Sequence, residues 1–490
     1  MSNVKKGLLS SILLVAESLA KKLIGVVSTL ILARVLVPED FGLVAIATLF
    51  MGFLDVLANT GTTQYLLRSD TIDSDTVNTS WTIDLILRTS IALVMIAVAP
   101  FISACYDDSR LTAIFHVFAA LMILRCLGNP GTAFLRREQN YAPLVKISII
   151  AKFVSVSIAV SIALIFESYW ALILGQCANG ITMLIGSYFI HPHKPSFTLL
   201  NAKEQWRFSG WLIPQSILGY FRTQLDTIMV SSTFGKASLG SYHILKYLAF
   251  IPSSEILLPA TQPLLVELNK AKQDVNAFAK QFNISFIVTM LIALPISGFM
   301  ASQHQHIIYI FLGENWVEYS ELFACFSLLI PAFAVLNQAR RVLVVFGKTK
   351  HMLYYELISF FVIYGTLFVI GIEDLFLFGA IRVGLENAIC LIFLIYITSS
   401  YTGVKNCLRL LIISLPVLIA VLVASSVVNI VSLDAHYKLL NLILNGVLFI
   451  SLFVVMLGII HYSGARKTEE WGYIENLIRR GITLLKSKIA

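Results

Sequence analysis

Long apolar runs recur along this chain, and only short polar breaks separate them. A hydrocarbon core about 30 Å thick takes ~20 helical residues to cross. Fourteen runs reach that length: 10–36, 41–67, 80–104, 110–134, 142–166, 169–190, 208–234, 238–266, 278–301, 317–346, 352–371, 375–399, 408–431 and 438–462. The runs are continuous instead of alternating at period two, which predicts helices and argues against barrel strands. The predicted fold is an all-α polytopic membrane protein with about 14 transmembrane helices. Between the eleventh and twelfth segments, Glu373 and Asp374 are almost the only break.

Composition agrees with this pattern. Of 490 residues, 57% are hydrophobic and only 13% charged, and the mean hydropathy of +0.82 is outside the soluble range. The net charge of +8 invites a nucleic-acid reading, but the basic residues lie in short loops between apolar runs. Twenty-four Lys and Arg fall in loops on one side of the predicted topology and four on the other, which places both termini in the cytoplasm. The six scattered cysteines show no C-x-x-C spacing, so neither a disulfide nor a zinc site is expected. The first apolar run is interrupted by charges and continues to about Val37, so it reads as a retained helix and not a cleaved signal.

Charges inside the apolar runs are the strongest functional signal. A charge at bilayer depth costs at least ~2.5–3.5 kcal/mol, so it faces protein or a wet cavity. Opposite charges stand at i,i+4 in Glu17/Lys21, Asp84/Arg88, Arg222/Asp226 and Arg382/Glu386, a spacing that lets partners neutralise each other on one helical face. Beyond these pairs, Lys22, Arg125, Lys152 and Lys246 stand against Asp55, Glu255 and Glu356. Arg125 and Lys152 also fit helix-end snorkelling. Phosphate binding calls for Lys or Arg, while the acids Glu17, Asp55, Asp226 and Glu255 are candidates for ion coupling or counter-charge.

A weak internal repeat organises these residues. The turn 38–43, with Gly42, resembles 236–241, with Gly240, and 136–141 resembles 347–351. An offset of six helices keeps both halves in one orientation and implies a pseudo-twofold axis along the membrane normal. The expected organisation is an N-terminal lobe at 1–200, a C-terminal lobe at 201–403, two extra helices at 404–465 and a cytoplasmic amphipathic tail at 466–490. In that tail Trp471, Ile474, Ile478, Ile482 and Leu485 share a face. Pro214 and Gly219 in the seventh run, and Pro252, Pro259 and Pro263 in the eighth, predict bent helices. No P-loop, H-E-x-x-H or G-x-S-x-G motif occurs, and no loop is long enough for a catalytic domain, so the chain is not expected to be an enzyme. Gln303-His304-Gln305-His306 reads as a solvated outer loop and not a metal site.

Leu32-Ala33-Arg34-Val35-Leu36-Val37-Pro38-Glu39-Asp40-Phe41-Gly42-Leu43-Val44-Ala45 resembles the L-A-R-x-L-x-P-x-D-F-G-L signature of Wzx-type polysaccharide flippases. These belong to the multidrug/oligosaccharidyl-lipid/polysaccharide (MOP) exporter superfamily, and the subgroup of colanic acid and teichuronic acid exporters is the most similar. Ala99-Pro100-Phe101-Ile102 with Tyr106, and Phe134-Leu135-Arg136-Arg137 before Tyr141, resemble further signatures. The resemblance implies two six-helix lobes around a cationic cavity. It further implies export of an undecaprenyl-diphosphate-linked oligosaccharide from the bacterial inner membrane's cytoplasmic leaflet, for exopolysaccharide, O-antigen or capsule assembly. By helix position, Lys21, Lys22, Arg222 and Lys246 are then the expected diphosphate ligands. Lipid-linked oligosaccharide and membrane lipids are the expected partners, with a glycan polymerase and a chain-length regulator as further candidates and no nucleic acid. No cofactor is expected; coupling to protons, sodium ions or the membrane potential stays open. So do two alternatives, a multidrug/cation antiporter of the same superfamily and a membrane glycan polymerase.

Overall fold

The computed structural model describes residues 3–58, 66, 73–138, 140–200, 202–261, 264, 268, 271–346, 348, 350–431, 438–463, 468–472 and 475. The elements they form are helices joined by short turns and coil, with no strand among the described residues. The chain divides into two compact units, 1–243 and 244–490.

The first unit contains α1 (Asn3–Val35), α2 (Pro38–Leu57), α3 (Ser74–Cys105), α4 (Arg110–Cys126), the short α5 (Thr132–Arg137), α6 (Ala142–Phe166), α7 (Trp170–Ile190) and α8 (Ala202–Thr233). α9 (Gly235–Pro252) begins in it and runs on into the second unit. α4 lies at its centre, with Leu111, Ile114, Phe115, Phe118 and Met122 fully buried; α2, α3 and α7 pack around it, and α6 packs between α1 and α7. Helix starts follow local chemistry. Asp73 caps α3 by accepting a bond from the Thr76 amide at 2.8 Å. Pro38 opens α2, where its missing N–H is no loss.

The second unit holds a π-turn (Ser253–Leu257), α10 (Leu258–Thr261), α11 (Val275–Ser302), α12 (His304–Phe311), α13 (Ser320–Ser327) and α14 (Leu329–Val345). α15 (Lys350–Ile370), α16 (Leu375–Thr402), α17 (Val404–Val431) and α18 (Lys438–Ser463) complete it. α11 is its hub, in contact with α13, α14, α16, α17 and α18. Polar groups tie this interior together. Gln338 of α14 donates to the Ser285 carbonyl of α11 at 3.0 Å and to the Thr289 hydroxyl. In hydrocarbon such groups have no water to fall back on, so interhelical partners are obligatory. Outward faces carry bare apolar side chains such as Phe166, Phe189, Phe368 and Ile430, as a lipid-facing surface does.

Ten helices among the described residues are long and apolar enough to cross a membrane. The fourteen expected from apolar length are therefore not all matched by spanning helices, and the four differences have physical causes. The fourth run breaks after Cys126, at Gly128-Asn129-Pro130-Gly131, leaving α4 with 17 residues. The eighth leaves the α-helical form at Pro252 for the π-turn. The first and seventh form the long helices α1 and α8 but carry the intramembrane charges. The expected outer loop at 303–306 is instead the start of α12: Gln303 is buried and accepts a bond from Asn445 at 2.9 Å.

The two turns singled out as a repeat meet within the first unit. A Cβ at Gly42 would fall on the Lys236 carbonyl, and one at Gly240 would fall on the Pro38 carbonyl. Two helix starts thus cross backbone to backbone, which only glycine permits. Beside them, Asp108 accepts from Lys236 Nζ at 2.6 Å and from Arg110 Nε at 3.0 Å and Nη2 at 2.8 Å. Arg110 also reaches Glu39 at 3.0 Å. Burial works to raise the Asp108 pKa, but the bonds from Arg110 and Lys236 outweigh it and hold the carboxyl well below the ordinary range.

Candidate substrate-binding site

Two polar constellations occupy the first unit. The first lies between α1 and α6. Lys21 Nζ donates to Glu17 Oε1 at 3.1 Å and to Ser148 Oγ at 2.9 Å. The i,i+4 pairing of Glu17 with Lys21 is thus formed, and Ser148 fixes the ammonium from the neighbouring helix. Lys152, one turn along α6, is half-buried, and its Nζ sits 3.5 Å from where a Gly25 Cβ would stand. Gly25 leaves room for that ammonium. Lys22 is exposed on α1. Lys21 and Lys152 against the single acid Glu17 make this face cationic.

The second constellation is a cavity of about 730 Å³, lined from α2, α3, α4, α5, α6 and α7. Arg88 of α3 donates to Asp55 of α2 at 2.8 Å. Asp55 is therefore held by a residue of another helix, a pairing that spacing along one helix does not reveal. Asp84, Arg125 and Arg136 share the wall. The wall is firmly built: Trp81 Nε1 donates to the Cys126 carbonyl at 2.8 Å. Asn129 Nδ2 donates to the His191 and His193 carbonyls at 2.7 and 2.9 Å, and its Oδ1 accepts from the Gly131 amide at 2.8 Å. The break that ends α4 is thus a braced turn with no loose end.

The remaining expected residues are dispersed. Asp226 of α8 is 0% exposed; it accepts from the Thr227 amide at 2.8 Å and the Tyr242 hydroxyl at 2.9 Å. The Arg222 side chain lies outside the described residues. In the second unit, Lys246 is half-buried on α9, and Glu255, in the π-turn, accepts from Ser254 Oγ at 2.8 Å. π-Turns recur at functional sites because they rotate side chains out of helical register. Glu386 of α16 accepts from the Tyr355 hydroxyl at 3.1 Å. Of the tail, residues 468–472 and 475 are described: Trp471 is buried and donates to the Ile413 carbonyl at 3.1 Å, and Glu470 pairs with Arg409 at 2.8 Å. The other tail positions lie outside the described residues.

Apolar spanning helices with charges bonded inside them define a multi-pass membrane protein. The chain belongs to the Polysaccharide biosynthesis protein family, whose model matches residues 31–321. It is 23% identical over 288 residues to the "Succinoglycan biosynthesis transport protein ExoT" of Rhizobium meliloti (strain 1021), covering 58% of each chain. It is 22% identical over 298 residues to the "Lipopolysaccharide biosynthesis protein WzxC" of Escherichia coli (strain K12), covering 60% of each. The match to an uncharacterized membrane protein in the cps region of Klebsiella pneumoniae is 24% over 306 residues, 61% of this chain and 63% of that one. The chain thus spans about three fifths of the length of these curated relatives. Among solved structures, "Lipid II flippase MurJ, inward closed conformation" superposes with a TM-score of 0.70 at 14% identity, over 91% of this chain and 99% of that one. An inward-facing multidrug resistance MATE family transporter of the MOP superfamily gives 0.58 at 12% identity, over 79% and 96%. At these identities the likeness shows the fold alone.

Proposed function

We propose that this protein is a flippase, not an enzyme: it carries a lipid-linked oligosaccharide across the bacterial inner membrane, with both termini cytoplasmic. The observation that supports this reading most is the cationic α1–α6 face. Lys21 is oriented by Glu17 and Ser148 and stands near Lys152, inside helices that otherwise have no stability reason to hold charge. A multidrug/cation antiporter would need acids in excess there. In the proposed site Lys21, Lys22, Arg222 and Lys246 hold a diphosphate, and Glu17, Asp55, Asp226 and Glu255 act as counter-charges, sugar ligands or ion-coupling groups. An inside-negative potential draws the anion outward by roughly 2.3 kcal/mol per charge per 100 mV.

The test is complementation of a deletion strain with Lys21→Glu and Arg222→Glu. Both variants should accumulate in the membrane at normal level, fail to restore surface glycan, and leave the lipid-linked intermediate on the cytoplasmic side. Normal export by both would sink the assignment.

A further inference from the structure

The cavity between α2 and α7 has chemistry that the α1–α6 face does not use. At about 730 Å³ it is the size of a pocket for a small polar ligand. Arg88 is satisfied by Asp55 at 2.8 Å. Arg125 and Arg136 are different: among the described residues neither side chain has a hydrogen bond or ion pair, yet both line the cavity. A guanidinium presents five N–H donors in a fixed fork that matches two oxygens of a phosphate. We propose that this cavity is a binding site for a phosphate-bearing headgroup, clamped by Arg125 and Arg136.

Three features favour a built site over two snorkelling side chains. Arg125 packs on Gly180: its Nε lies 3.4 Å from where a Cβ at that position would stand, so the glycine leaves room for the guanidinium stem. The turn between the two arginines is fixed by the four bonds of Asn129, one of them from its own amide to Ser187 Oγ at 2.8 Å. The clamp is thus pre-organised, and little ordering cost remains on binding. Asp84, on the same wall, offers an acceptor for the hydroxyls or the ammonium that commonly accompany a phosphate ester. The phosphate can come from a soluble diphosphate, from a phospholipid headgroup, or from the lipid-linked substrate. Only the last source rests on the transport reading above.

The experiment uses the full chain in phosphatidylcholine nanodiscs. Inorganic pyrophosphate is titrated by calorimetry, and in a second arm phosphatidylglycerol is doped into the discs and retained lipid is read by native mass spectrometry. We expect saturable binding of pyrophosphate that persists in Lys21→Gln, or selective retention of phosphatidylglycerol; which arm responds identifies the source. Arg125→Gln and Arg136→Gln should each weaken binding roughly 10-fold, as loss of a charge-assisted fork does. Arg125→Lys should weaken it less. In a Lys21→Gln background, which removes a ligand of the α1–α6 face, the losses in Arg125→Gln and Arg136→Gln should persist, which separates the two sites. No response of the wild type in either arm overturns the proposal. So does binding by the double glutamine variant, made in the Lys21→Gln background, within about 3-fold of that background alone. Unchanged melting of each variant excludes misfolding. Export plays no part in these readouts, so failure of the transport reading leaves them intact.

Discussion

Asp108 is where a single atom change should have the largest local effect. Its carboxylate is 5% exposed, and its partners Lys236 and Arg110 are 22% and 38% exposed. Asp108→Asn keeps one acceptor, which suffices for the Arg110 amide at 3.0 Å, but loses the oxygen that receives Lys236 and Arg110 Nη2. Two charge-assisted bonds are worth ~1.5–3 kcal/mol each. The freed cations are partly solvated, so the net loss should be about 2–3 kcal/mol, less than for a fully buried pair. This pair braces the Gly42–Gly240 crossing, so the opening constant of residues 235–242 should rise roughly 30- to 150-fold. Hydrogen–deuterium exchange of the peptide carrying those amides measures it. Glu39→Gln, which loses one exposed contact to Arg110, should change exchange by less than about 5-fold. The pH dependence has a definite sign. The Asp108 pKa is depressed in the fold, so its contribution is complete above the unfolded carboxylate value of ~3.9 and is lost only as pH falls through the lower folded value. Protection corrected for intrinsic exchange should therefore be flat from pH 8 to 5. Exchange in Asp108→Asn within 3-fold of wild type, or a loss of protection between pH 6 and 5, would refute the reasoning.

Gly42→Ala should abolish stable accumulation, because its Cβ meets the Lys236 backbone, whereas Gly384→Ala, with nothing within 4 Å, should melt as wild type; membrane-fraction immunoblots and thermal melts in detergent compare them. Trp471→Ala should destabilise by ~3–5 kcal/mol, as loss of a buried tryptophan does, and appear as a lower melting midpoint. Glu470→Gln should cost less, about 1–3 kcal/mol, since the Arg409 it leaves behind is 49% exposed and can hydrate. Gly175→Ala should loosen the α6–α7 contact, where a Cβ would come within 2.9 Å of Ala159 Cβ; the same melts would show a lower midpoint.

Apolar length in the sequence located the helices well wherever a helix is apolar from end to end, as in α6, α17 and α18. It erred where polar residues are buried or where breakers sit inside an apolar stretch. α3 starts at Ser74, six residues before the expected 80, because Asp73 caps it and Asn78 and Ser80 find partners in Ser196 and Gln205. Between α15 and α16, where the sequence offered little, Gly371 at φ +62° ends one helix and Asp374 caps the next through the Leu377 amide at 2.6 Å. The site was legible to the extent that its bonds are local. Glu17–Lys21 follows from helical periodicity, but Asp55–Arg88 joins residues 33 apart and Lys21–Ser148 joins residues 127 apart. Asp226 stands out in the sequence as an intramembrane charge, yet its acceptor role toward Tyr242 depends on how α8 and α9 pack. Arg125 fitted a helix-end snorkel because nothing local shows that it lines a cavity with Arg136.

Asn283, buried on α11, donates to Glu470, 187 residues further along the chain. Its other partner, Asn406, comes from α17, as does Arg409, which Glu470 neutralises. During synthesis α11 therefore enters the membrane long before its last acceptor exists, and α17 emerges carrying an arginine whose carboxylate is still to be made. The polar interior of the second unit is completed only when residues near 470 leave the ribosome. A chain stopped short of Glu470 would hold every spanning helix of that unit and still leave one buried Asn283 N–H and the Arg409 charge unmatched, the kind of defect that membrane quality control reads as an unfinished protein.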